Sequence, residues 1–213
     1  MDGKATVHMG AFSRGGLTRG DPRASAHAMG CQEPSVPCGM GEEARGAWHL
    51  TCGSSDTTSD GIVATLAATW EAMAEQEQAE TSLLQMNMAH GPESSGRRTP
   101  CLSRMVQLAD LIHKPMQRLS SPPSPSTYHP SERCWGILEW QWHGTQLIEA
   151  ETMLGGAKQM TWQGIHPIVA RSHTLSQKGI ALGKAAMQAV AARLQRDPHL
   201  PKYDMVINPA STS

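Results

Sequence analysis

The sequence predicts an α/β fold: a mixed sheet flanked by helices, with a helical C-terminal part. Three observations predict it. Short apolar runs with period-two alternation recur through the first 120 residues. Longer segments with apolar residues three and four apart lie between and after them. Clusters of Gly, Pro, Ser and Asn separate the two kinds of segment. The organising stretch is Ser82 to Arg98, SLLQMNMAHGPESSGRR. Leu84, Met86 and Met88 alternate with Leu83, Gln85 and Asn87, and the run stops at the turn chemistry of Ala89-His90-Gly91-Pro92.

Lys4 to Met9 reads as a first strand, with Ala5 and Val7 on one face and Asp2 at its start. Ser13 to Arg23 is Gly- and Arg-rich and reads as a loop. Arg14, Arg19 and Arg23 are candidates for phosphate contact, with a solvated loop as the alternative. Val36 to Met40 and Ala47 to Cys52 read as two strands joined by a hairpin at Gly41-Glu42-Glu43. A helix follows from Ser59, a good N-cap, with Ile62, Val63, Leu66, Trp70 and Met73 at helical spacing. These five read as core.

After the central strand, Thr99-Pro100 is a cap residue followed by a first-turn proline. It opens a helix to about His113, with Leu102, Met105, Val106, Ala109 and Ile112 as its buried stripe. Lys114-Pro115 ends it, and Met116 to Leu119 reads as a short strand. A Pro/Ser loop covers Ser120 to Ser131. Pro130 then suits a first helical position, and Glu132 to Trp142 reads as a helix with Trp135, Leu138 and Trp142 on one side and Gly144 as its stop. Trp140 and Trp142 read as core, with base stacking as the alternative. Leu147 to Met160 and Gly183 to Arg196 read as helices, and Tyr203 to Ile207 as a last edge strand.

Composition narrows the function classes. At 213 residues the chain is long enough for one sizeable core. A net charge of −1 is low for a protein that grips duplex DNA unaided, because such affinity rests on Lys and Arg neutralising phosphates. Five scattered cysteines without a CxxC pair suggest buried free thiols and neither a zinc site nor a disulfide framework. The polar N-terminus is no signal peptide, and no apolar run reaches membrane-spanning length. A reduced, cytoplasmic setting is expected. Aromatics are only 4%, with Phe12 the one phenylalanine, so the core has little of its usual bulk.

Several blocks carry a family resemblance: KATV at 4–7, FSRGG at 12–16, TRGDPR at 18–23, GPESSGRRT at 91–99, ERCWGILEW at 132–140 and MTWQGIHPIV at 160–169. In this order they resemble the DDE transposases of bacterial insertion sequences, of the ISAzo type. The resemblance spans about Asp2 to Ile207. It implies an RNase H-like sheet, with residues 1–145 as the catalytic core and 146–213 as a helical extension of the same domain. It also implies strand transfer on DNA by phosphoryl transfer, with two Mg²⁺ or Mn²⁺ ions held by three converging acids. Asp2 falls on the first acid and Glu132 on the third, which makes both the candidate catalytic and metal-binding residues. Arg14, Arg19, Arg97 and Arg98 are the candidate DNA contacts.

The family's second aspartate falls on Ala89. Neither His90, a poor Mg²⁺ ligand, nor Glu93, two residues past Gly91, is expected to replace it. The family also has more of the first strand, and a DNA-reading domain, ahead of the position where Met1 stands. The lysine and N-cap asparagine it carries before the third acid are Thr127 and His129 here, and it carries bulky aromatics near Asp56, Gly61 and Cys101. The expected function is therefore a truncated transposase with impaired catalysis. The alternatives are a non-catalytic remnant that binds DNA, another copy of itself or an intact transposase, and a decaying element with no selected function.

Overall fold

The computed structural model describes residues 2–3, 7–10, 33–53, 59–88, 99–120, 130–171 and 183–210. In chain order the first half contains β1 (Asp2–Gly3), β2 (Val7–Met9), β3 (Glu33–Glu42), β4 (Ala47–Gly53), α1 (Ser59–Glu71), α2 (Glu75–Glu80) and β5 (Leu84–Met88). The second half contains α3 (Thr99–Ile112), β6 (Met116–Ser120), α4 (Pro130–Trp142), α5 (Ala150–Gln159), β7 (Ile168–Arg171), α6 (Lys184–Ala192), β8 (Leu194–Arg196) and β9 (Asp204–Ile207). The order is mixed α/β, as expected. Its strands form two mixed sheets, one of five strands and one of four. They belong to two units, Met1–Thr57 with Pro125–Leu175, and Thr58–Ser124 with Ser176–Ser213.

The first unit holds the sheet β1-β3-β4-β7, with β2 also paired to β3. Of the strand expected over Lys4 to Met9, the described residues contain β2; β2 and the preceding β1 are each antiparallel to the long β3. The β3–β4 turn lies two residues later than expected. Gly41 and Glu42 pair with Trp48 and Ala47, and the reversal falls on residues 43–46, where Gly46 takes φ +64°. That left-handed backbone is cheap for glycine alone, which is why the turn closes there. The segment 161–174, which shows no clear pattern in sequence, contains β7, a strand parallel to β4.

α4 and α5 cover one face of this sheet. Trp48, Leu50 and Cys52 alternate along β4 toward Cys134, Trp135, Leu138 and Trp142 of α4, and toward Met153, Leu154 and Ala157 of α5. The Trp48 and Trp135 rings meet edge to face at 5.8 Å and 87°. They sit on β3 where it has no side chain: a Cβ at Gly39 would lie 2.5 Å from the Trp48 ring and 2.6 Å from the Trp135 ring. α4 stops at Gly144, φ +74°, as expected. α5 begins at Ala150, three residues later than expected, because Leu147 is buried in the core ahead of the helix. The Trp142 indole N–H donates to the Met153 carbonyl at 3.0 Å, and its ring occupies the space a Cβ at Gly156 would need.

The second unit holds β5-β6-β9-β8, with β5 and β6 parallel and the rest antiparallel. β9 is an inner strand, not an edge strand. The segment expected to be helical up to Arg196 gives way at Arg193 to β8, which supplies the outer strand. β5 has the expected alternation: Met86 and Met88 are buried, Gln85 and Asn87 exposed. α3 lays its predicted stripe over the sheet, with Leu102, Met105, Val106, Ala109 and Ile112 all buried. α1 buries Ile62, Val63, Leu66 and Trp70, while Met73 is half-buried beyond the helix end. Arg104 Nε donates to Asp60 Oδ1 at 2.6 Å, tying α3 to α1. Arg118, on β6, is fully buried, and burial lowers its pKa below the usual arginine value.

Asp110 on α3 receives hydrogen bonds from Arg193 and, at 2.6 Å, from the Ala210 N–H. Burial works against its charge, but the Arg193 and Ala210 hydrogen bonds and the Arg193 and His113 charges outweigh it, so its pKa lies below the usual carboxylate value. A depressed carboxylate pKa stabilises the fold above the unfolded-state pKa, and that contribution disappears as pH falls through the folded-state value. Asp110→Asn is expected to cost about 1 kcal/mol or less at pH 7, as the pair is partly exposed. In denaturant titrations the difference from wild type should shrink as pH falls through and below the ordinary carboxylate range.

Gly39→Ala is expected to cost about 1–3 kcal/mol by forcing the indoles apart. Gly136→Ala on α4, where a Cβ meets nothing within 4 Å, should raise stability by about 0.5–1 kcal/mol. Equal midpoints for the two variants in urea unfolding would contradict this packing.

Candidate functional site

Glu132 stands in the first turn of α4, where the unpaired N–H groups of the helix favour a carboxylate. It is exposed, as is Arg133 beside it, while Ser131, Cys134 and Trp135 turn inward. The sequence produces this placement locally. Pro130 opens the helix, and the residues of α4 that bury themselves anchor its inner face to the sheet. Glu132 is left at the rim.

Asp2 lies in β1, directly opposite Gly39 of β3. Gly39 is the strand position on which the Trp135 ring sits, and Trp135 is one helical turn after Glu132. The strand that carries one candidate acid and the helix that carries the other are thus tied to the same point of β3, inside one unit.

β5 ends at Met88, which pairs in register with Ser120 at the tip of β6. The next residue is Ala89, whose methyl group offers no ligand atom. Ala89, His90 and Glu93 lie outside the described residues, as do Arg14, Arg19, Arg23, Arg97 and Arg98. Among the described residues no group of three or more His, Cys, Asp or Glu side chains is placed to hold a metal ion. Among the described residues of this unit, charged side chains gather at the β3–β4 hairpin. There Glu42 accepts from Arg45 at 3.3 Å and lies 3.2 Å from the buried His49 ring. It reads as an ion-pair brace for the turn.

One sequence expectation needs correcting on α4. Trp142 is core, fully buried, but Trp140 is 72% exposed. The signal was present in the spacing. Trp135, Leu138 and Trp142 share one helical face, and Trp140 falls off it by nearly half a turn from either neighbour.

The described cysteines are buried free thiols, as the composition suggests. Burial pushes the Cys134 thiol up to about 12, and burial together with the neighbouring Cys38 does the same for Cys52. Neither is a nucleophile at neutral pH, because the thiolate is the reactive form. Both should resist a maleimide at pH 7.5 in the folded protein and react at once in 6 M guanidinium. Fast native labelling of Cys134, mapped by mass spectrometry, would show that the face of α4 behind Glu132 is open.

No described helix is long and apolar enough to cross a membrane. No curated protein and no solved structure matches the chain. A family model does: that of the Rhodopirellula transposase DDE domain, over residues 1–209.

Proposed function

Since the chain belongs to the transposase DDE domain family, we propose that it is a DNA-binding domain of an insertion-sequence transposase whose strand cleavage is impaired. The observation that carries this reading is Ala89, an alanine directly after β5 where the family pattern has its second aspartate. The architecture proposed is RNase H-like. Residues 1–145 form its core, and residues 146–213 extend the same domain, contributing β7 to one sheet and β8 and β9 to the other.

Divalent ions would supply a metal-bound nucleophile and a clamp on the leaving oxygen. In this chain Asp2 and Glu132 are the carboxylates that would hold Mg²⁺ or Mn²⁺. Hard cations need several oxygen ligands, and two carboxylates balance only half the charge of two such ions. The donor set therefore does not fit a complete two-metal site. Binding without efficient cutting is what these residues support. Arg14, Arg19, Arg97 and Arg98 are proposed to meet the phosphates, in keeping with sequence-independent contact. The proposed setting is the cytoplasm, with DNA and a second transposase chain as partners, through which a copy that binds but does not cut would compete with an intact one.

In a plasmid nicking assay with Mg²⁺ or Mn²⁺ the protein should leave supercoiled DNA intact over hours. Robust, divalent-dependent nicking that Glu132→Ala abolishes would overturn the impairment. Ala89→Asp should increase manganese affinity, followed as a concentration-dependent rise in Tm that the wild-type chain shows weakly or not at all.

A further inference from the structure

Five of the six tryptophans have a packing role. Trp48, Trp70, Trp135 and Trp142 are buried, and Trp162 packs partly against Trp48 at 6.0 Å. Trp140 does not. It is the large exposed side chain of a helix whose inner face is already filled by Cys134, Trp135, Leu138 and Trp142. Its neighbours on the outer face are ordered along the helix. Arg133 lies seven residues earlier, nearly two full turns, so the two share a stripe about 10 Å long. Between them are Gly136, where a Cβ would meet nothing within 4 Å, and the half-exposed Ile137. Glu132 adjoins the end at which Arg133 stands.

We propose that this stripe of α4 seats one unpaired nucleotide of DNA, with Trp140 stacking on the base and Arg133 holding its phosphate. The inference rests on the DNA-binding function proposed above and adds to it a single-stranded feature. An indole stacks on a base only where the π-face is uncovered, which in a duplex requires an unpaired or extruded base. The guanidinium fork suits phosphate. The absent side chain at Gly136 leaves the low surface a flat ring needs between the two. A protein partner fits less well. Two exposed apolar residues beside an arginine fall far short of the area that a stable protein interface buries. Because Glu132 adjoins the stripe, a strand seated here runs toward the candidate acid.

The test uses the full chain. Fluorescein-labelled single-stranded and duplex oligonucleotides of one sequence are titrated by anisotropy, and tryptophan emission is followed with unlabelled DNA. Single-stranded DNA should quench the red-shifted emission of the exposed Trp140. Trp140→Ala should remove that quenching and weaken single-strand binding about tenfold, with a smaller loss on duplex. Trp140→Phe should keep most of the affinity, and Arg133→Gln should lower it and reduce its salt dependence. Far-UV circular dichroism checks that each variant is folded, which is expected because both side chains are exposed. Unchanged single-strand affinity in Trp140→Ala, without quenching in the wild type, would overturn the seat while leaving DNA binding in place. Failure of the wild type to bind either form of DNA would overturn the DNA reading and the seat with it. Concentration-dependent self-association in sedimentation, lost in Trp140→Ala without a change in DNA binding, would make the stripe an interface between copies and overturn it as well.

Discussion

The unit that holds both candidate acids depends on two indoles seated on a glycine. Trp48 rises from β4 and Trp135 descends from α4, and they meet edge to face over Gly39. Any side chain at residue 39 would occupy the volume of both rings. The contact fixes the depth at which α4 docks, and Pro130 with the helix start follows from it. The exposure of Arg133 is a consequence: two residues before a deeply seated tryptophan, it lies on the opposite side of the helix and has no sheet to face, while Glu132 stands exposed in the first turn.

The same packing shows how a chain so poor in phenylalanine and tyrosine builds its cores. Tryptophan and methionine take their place. Met86, Met88, Met116 and Met205 line one face of the second unit's sheet, and Met153 and Met160 fill space beside Trp142 in the first. Methionine is unbranched and adapts to irregular gaps, and indoles bring large areas with few torsions to fix. The low aromatic content suggested a starved core. It corresponds instead to cores filled by another pair of residue types, with glycines at 39 and 156 making room for the rings.

The chemistry is divided differently from the packing. The scaffold around Asp2 and Glu132 is built from tightly fitted pieces, while the residue after β5 carries no ligand atom. Large buried rings hold α4 in place whatever its outer face does. The outer face of α4 is thereby free to carry the proposed stripe of Arg133 and Trp140.

Local signals were enough for much of the chain. The starts of α1, α3 and α4, the first-turn prolines of α3 and α4, the alternation of β5 and the buried stripe of α3 were all legible, because each is a short-range pattern of polarity and backbone preference. The sequence by itself could not place β7 or β8, or make β9 an inner strand, because a strand of three or four residues gains its stability from neighbours far away in the chain. Nor could it say that the strand of Asp2 and the helix of Glu132 meet at Gly39, or that of two tryptophans two residues apart one is core and the other surface. Those outcomes were decided by tertiary packing: which face of α4 turned inward depended on a gap in β3 nearly a hundred residues earlier.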